Sequence, residues 1–193
     1  MSFVSIIATK DFLTIMSDGR VMGINGTPIE ENYQKFLKVG DSSFIAYAGD
    51  RAFCEMLSRD IQGMVESKSY DTAIQVLEQI FKKADFGERS VLMGIGGLNS
   101  SGNIEFFTIS SKNYVIQKQK YYPENDTVSY AFLNNTKMGH EEFQEKLIEL
   151  LRETGYGAPS QTIQAQRLLN NFIAELDNSV NKSTFRFVIK VKE

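Results

Sequence analysis

Four residues in the first fifty have the types and the spacing for acyl-transfer chemistry: Ser2, Asp18, Lys35 and Gly49. Removal of Met1 would leave Ser2 with a hydroxyl and a free α-amine on one residue, so nucleophile and general base arrive together without a histidine. An α-amine titrates near pH ~8, close enough to neutral to take the hydroxyl proton. A cation held nearby lowers that pKa and keeps the amine neutral, and Lys35 is the candidate. A buried lysine needs an anionic partner, and Asp18 is the nearest in sequence. Gly49 stands where an apolar strand, SSFIAYA, runs into a helix that Asp50 can cap. Backbone N–H groups at such a junction point at developing negative charge, and glycine lets the chain come close. Each residue also has a plain structural reading. Asp18-Gly19 is a hairpin-turn signal, Lys35 can be a solvated strand start, and Gly49 an ordinary turn before a helix. Their joint order and spacing is what points to chemistry.

The elements that would position them follow from periodicity. Residues 3–9 and 12–17 read as two strands joined at Lys10-Asp11, and 35–39 with 43–48 as a further hairpin around Gly40-Asp41. Residues 20–33, with Gly23, Gly26 and Pro28, read as an irregular polar loop. Phe53, Met56, Leu57, Ile61, Met64 and Val65 mark one face of a helix, and Ala73, Ile74, Leu77, Ile80, Phe81 and Ala84 a second, with a link near Ser67 to Tyr70. Strands are expected at 90–97, 103–109, 113–121 and 127–133. Two more helices follow, one through Phe143, Leu147, Leu150 and Leu151, the other through Ile163, Leu168, Leu169, Phe172 and Leu176. The break between them, GYGAPS, holds a serine that can cap the second. A last strand, STFRFVIKV, alternates cleanly. Strands, two helices, strands, two helices and a strand suit an α+β fold with two stacked, mainly antiparallel sheets and a helix pair on each outer face, a four-layer αββα sandwich in one domain spanning residues 1–193.

The stretches FVSIIATKDFLTIMSDGRV, YQKFLKV and SSFIAYAGD resemble the opening of proteasome β subunits and of the bacterial proteasome-like peptidase that works with a heat-shock ATPase, both N-terminal nucleophile (Ntn) hydrolases. The family's N-terminal threonine falls on Ser2, its aspartate on Asp18 at the same separation, its lysine on Lys35 after one inserted residue, and its oxyanion glycine on Gly49. MGIGGLNSSGNIEFF resembles the central hairpin, and FIAELDNSVNKSTFRFVIKV the last helix, loop and strand, placing the family's second aspartate on Asp177. Serine for threonine loses the methyl that helps fix the rotamer. Val180 stands where the family has a serine that supports the amine, and Asn134 and Asn135 occupy the neighbourhood of another. The resemblance implies a proteasome-like peptidase or amidohydrolase acting on peptides or small amides, a homo-oligomer that can be a ring, and an ATPase partner. A non-catalytic binding or assembly protein of the same fold is the alternative. In this family the loop 20–33 helps form the substrate pocket.

The 193 residues suffice for one substantial core, and a net charge of −3 gives no reason to expect nucleic acid or an anionic membrane as partner. One cysteine, Cys54, excludes an intramolecular disulfide and a cysteine-rich zinc site; it reads as a buried, inert thiol. No signal run or bilayer-length apolar stretch is present, which implies the cytoplasm. His140 is the sole histidine, and HEEF lacks the second histidine of a zinc helix, so neither metal nor cofactor is expected. Gly94, Gly96 and Gly97 read as close packing in a strand rather than as a phosphate loop. Lys118 to Tyr122 reads as a lysine-protected edge strand, and Glu30-Glu31 as solvated charge.

Overall fold

The computed structural model describes residues 2–67, 70–112, 115–136 and 139–191. Met1, on whose removal the Ser2 chemistry depends, lies outside them, as do two residues of the link between the first helices and the first two residues of the strand expected at 113–121.

The chain begins with an antiparallel hairpin, β1 (Phe3–Ala8) and β2 (Phe12–Asp18). Two short strands, β3 (Val21–Met22) and β4 (Pro28–Glu30), pair with each other. Strands β5 (Phe36–Val39) and β6 (Ser43–Gly49) lead into helices α1 (Arg51–Ser67) and α2 (Tyr70–Lys83). Then come β7 (Val91–Leu98), β8 (Ile104–Lys112), β9 (Val115–Tyr121) and β10 (Ser129–Asn134), helices α3 (His140–Thr154) and α4 (Pro159–Leu176), and β11 (Thr184–Lys190). Among the described residues the strands form a four-stranded sheet ordered β10-β1-β2-β11, a five-stranded sheet ordered β5-β6-β7-β8-β9, and the separate β3–β4 pair. Every pairing is antiparallel.

Alternation along β1 decides which side chains go where. Val4, Ile6 and Ala8 pack in one apolar cluster with Phe36, Phe44 and Phe106 of the five-stranded sheet. Phe3 and Ile7 point the other way, into a cluster with Phe143 and Leu147 of α3 and Leu169 and Ile173 of α4. A third cluster joins Leu57 and Ile61 of α1 and Leu77 and Phe81 of α2 to Ile45, Met93 and Phe107 of the five-stranded sheet. The phenylalanines between the sheets are fully buried, each contributing about 1.5–3 kcal/mol of burial. Gly96 leaves the space they need, since a Cβ there would stand 2.5 Å from Phe106 Cβ and 2.7 Å from Phe44 Cε1.

Three sequence expectations differ from the structure. The loop 20–33 contains the β3–β4 hairpin. Ser160 does not cap α4: Ala158 is the capping residue, with Pro159 beginning the helix and Gln161 Oε1 accepting the Ala158 N–H at 3.0 Å. The buried face of α4 is also rotated from the apolar one. Thr162, Gln166 and Asn170 are buried with Ala165, Leu169 and Ile173, whereas Leu168 and Leu176 are exposed. Partners on the sheet explain this: Gln166 Nε2 donates to Ser5 O at 2.9 Å and Ser5 Oγ at 3.1 Å, and Thr14 Oγ1 bonds Thr162 Oγ1 at 3.1 Å. The Gln166 amide nitrogen thus finds acceptors on the sheet, which lets the polar stripe face inward, while Gln166 Oε1 and Asn170 Oδ1 are buried without a hydrogen-bond partner among the described residues.

Candidate functional site

Asp18 ends β2 with its side chain fully buried and Lys35 directly precedes β5, only 2% exposed. The Lys35 ammonium donates to Asp18 Oδ1, and the same oxygen accepts the Phe3 N–H at 2.9 Å. Asp18 Oδ2 accepts the Arg20 N–H at 2.9 Å. The carboxylate is therefore held at both oxygens, one of them beside the residue that follows Ser2. Lys35 joins the sheets through its backbone as well: its N–H reaches Ser17 Oγ at 3.4 Å, and its carbonyl accepts the Tyr47 N–H at 3.0 Å. Burial pulls the Lys35 ammonium below the ordinary lysine range, against the Asp18 carboxylate, which raises it.

Ser2 continues the alternation of Val4 and Ile6 and so belongs to the side facing the five-stranded sheet. Its carbonyl accepts the Asn135 N–H at 3.2 Å, extending the pairing of β1 with β10. A cleft of about 370 Å³ is lined by Ser2, Lys35 and Gly49 together with Val21, Met22 and Ile29. Gly49 is required there by the backbone: φ is +108°, and a Cβ would stand 1.9 Å from Ser90 O. Asp50 follows, its Oδ1 accepting the Phe53 N–H at 3.0 Å to cap α1. The structure thus brings Ser2, Lys35 and Gly49 to one cleft, with Asp18 behind Lys35.

Asp177 stands apart. It caps the C-terminus of α4, its Oδ1 accepting the Ser179 N–H at 2.8 Å, and it does not line the cleft. Its loop reaches the site's base through Asn181, whose Oδ1 accepts the Gly19 N–H at 2.9 Å. Val180 is buried in the apolar cluster of α3 and α4. Ser179 before it is buried too, and its hydroxyl has no hydrogen-bond partner among the described residues.

No protein-family model matches the chain, and no curated protein matches it in sequence. Among solved structures, the eukaryotic HslV from Trypanosoma brucei superimposes with a TM-score of 0.66, covering 97% of this chain and 99% of that one at 13% identity. The fold is proteasome-like. The likeness in fold spans the described chain from the opening hairpin to β11, as the stretches of sequence resemblance along most of the chain imply.

Around this cleft lie residues that the sequence reading left out. Tyr33 and Tyr47 share a hydrogen bond of 2.7 Å, and Tyr33 donates to Glu55 Oε1 at 2.5 Å. Burial raises both phenols above the usual tyrosine range, and for Tyr33 the Glu55 hydrogen bond adds to it. Arg51 donates to Glu55 Oε1 at 2.7 Å and to Glu30 Oε2 at 2.8 Å, with its guanidinium 4.0 Å from the Tyr33 ring centroid. Glu30 and Glu31 are thus engaged rather than freely solvated, since Glu31 takes Arg20 Nε at 3.1 Å on both oxygens. The one available signal was Arg51 and Glu55 at i, i+4. Burial pushes the Cys54 thiol up to about 12, leaving it inert at neutral pH. Among the described residues no group of three or more histidine, cysteine or acidic side chains could hold a metal, and no helix is long and apolar enough to cross a membrane.

Proposed function

We propose that this chain is a proteasome-like amidohydrolase, a serine-type peptidase whose nucleophile is Ser2 after removal of Met1. The observation that carries the reading is the buried Lys35–Asp18 pair, whose shared oxygen also holds the Phe3 N–H, at a cleft lined by Ser2 and Gly49. The Ser2 α-amine takes the hydroxyl proton as Oγ bonds the substrate carbonyl carbon, and the Gly49 N–H donates to the resulting oxyanion. The ammonium returns the proton to the leaving nitrogen as the C–N bond breaks. Water then cleaves the acyl ester, its proton passing through the same amine. Lys35, kept charged by Asp18, holds the amine neutral by like-charge repulsion. Asp177 acts from outside the cleft by ordering the loop that carries Ser179 and Asn181.

The same reading takes the chain as one domain over residues 1–193, built as a four-layer αββα sandwich; the three apolar clusters support that layering. By kinship with HslV it assembles as a homo-oligomeric ring in the cytoplasm, with an ATPase partner, and acts on peptides or small amides without a cofactor. Its test is intact mass followed by an assay with peptide amides. A chain lacking Met1 that turns over, and that stops when Lys35→Ala is introduced, supports the reading; a chain that retains Met1 quantitatively and never turns over contradicts it. The buried Val180 favours a second reading, a non-catalytic binding or assembly protein of this fold, because an apolar side chain stands where the family's supporting serine is expected. Peptide binding that persists unchanged in Lys35→Ala would support it.

A further inference from the structure

The cleft has one wall that no main sheet holds. Val21, Met22, Gly23, Ile24 and Ile29 line it from the β3–β4 hairpin, which among the described residues pairs with neither the four-stranded nor the five-stranded sheet. A two-stranded ribbon of this length has little stability of its own. Side chains must therefore keep it in place, and they do so at two points. At its base Arg20, Glu31 and Asn181 interlock, with Asn181 Nδ2 donating to Glu31 O at 2.9 Å. At the other side, among the described residues, the ion pair that reaches a strand of the hairpin is that of Arg51, which meets Glu30 of β4, Glu55 of its own helix and the Tyr33 ring at once. Arg51 is also the first residue of α1, two positions after Gly49, so the hairpin is fastened to the same turn that forms the opposite wall.

The charges near the mouth are thereby engaged, Asp50 included, since its Oδ1 caps α1 at Phe53 and its Oδ2 stands 3.8 Å from Arg89 Nε. Lys35 is satisfied by Asp18, and Arg51 by Glu30 and Glu55. What the cleft offers an occupant is Val21, Met22, Ile24, Ile29 and Ala48, a surface for an uncharged, apolar side chain.

We propose that Arg51 is a positioning residue that latches the β3–β4 hairpin over the cleft and so sets its preference for a large apolar side chain. The proposal rests on the functional reading for what the cleft binds. A planar guanidinium meets all three partners together, which a lysine ammonium cannot. Its side chain is 40% exposed, so replacement need not disturb the core.

The test compares the parent with Arg51→Met, Arg51→Lys and, from the hairpin side, Glu30→Gln. Amide hydrogen exchange over residues 21–30 and the binding of acetylated tripeptide amides ending in leucine or alanine are the readouts. Exchange in the hairpin should quicken on the order of fivefold to tenfold in Arg51→Met and Glu30→Gln while β1 and β2 keep their protection. The preference for leucine over alanine should fall by a similar factor, with Arg51→Lys between. Unchanged hairpin exchange overturns the proposal, as does a loosened hairpin with unchanged preference or a parent chain that binds neither peptide. Peptides that bind selectively without being cleaved would sink the peptidase reading and leave the latch standing.

Discussion

Two buried polar clusters touch the β1–β2 hairpin, one midway along it and one at the end of β2, and they solve the same problem differently. On the face toward α4, Ser5, Thr14, Thr162 and Gln166 are all neutral and fully buried, and Asn170 Nδ2 nearby donates to Asn181 O at 2.8 Å. At the end of β2, Asp18 and Lys35 form a buried ion pair beside the cleft. A neutral network fastens a helix to a sheet at small net cost where its groups exchange water for equivalent partners, and here only Gln166 Oε1 and Asn170 Oδ1 lack one among the described residues of this cluster. An ion pair must also overcome the desolvation of two charges, and apolar residues of similar volume would often be as stable. The fold needs the first cluster for packing. It does not need the charge of the second, which the proposed chemistry in the cleft would use.

The sharpest way to break this contrast is Asp18→Ala. It leaves the buried ammonium without a carboxylate and the Phe3 and Arg20 N–H groups without their acceptor, and should cost about 3–5 kcal/mol in denaturant unfolding. A double replacement, Asp18→Asn with Lys35→Met, should recover much of that loss without restoring turnover. Lys35→Ala should lower turnover about 10²-fold or more; a chain as active as the parent would remove lysine from the mechanism. In the neutral cluster, Gln166→Leu should cost about 1–3 kcal/mol in stability, since Ser5 O and Ser5 Oγ lose their donor, while turnover per folded molecule stays at the parent value. The smallest effect is in pH dependence. The neutral cluster holds no titratable group, so its contribution should not change with pH. Beside the cleft, the Glu55 carboxyl is held below its ordinary range, first by the Tyr33 hydroxyl and then by Arg51. With its folded pKa depressed, the stability it contributes is present above about pH 4.5 and is lost as pH falls through the folded value. Glu55→Gln should flatten that acid limb by under about 1 kcal/mol.

What the sequence made legible follows the same division. The β-branched and aromatic residues of FVSIIA and FLTIMS, with the turn signals at Lys10-Asp11 and Asp18-Gly19, indicated the opening hairpin, and β1 and β2 occupy Phe3–Ala8 and Phe12–Asp18. The apolar spacing of Phe143, Leu147, Leu150 and Leu151 marked the buried face of α3. For α4 the same reasoning failed, because Gln166 and Thr162 face inward to partners on distant strands that no local pattern reveals. The Asp18–Lys35 contact was reachable from ordered motifs, since a buried lysine implies a nearby anion. The Tyr33, Arg51 and Glu55 network was not, because it depends on β4, β6 and α1 converging in space. Asp177 was placed by resemblance alone, and in the structure it shapes a loop beside the site rather than the cleft itself.

The central claim is that Ser2 supplies hydroxyl and amine together. Treating the purified protein with a peptide epoxyketone, which needs both groups on one residue to close its ring, and mapping the adduct by mass spectrometry tests it directly. The account predicts a chain that has lost Met1 and carries one adduct on Ser2, with labelling much slowed in Lys35→Ala. A chain that keeps Met1, or that has lost it and still takes no adduct at Ser2, would contradict it.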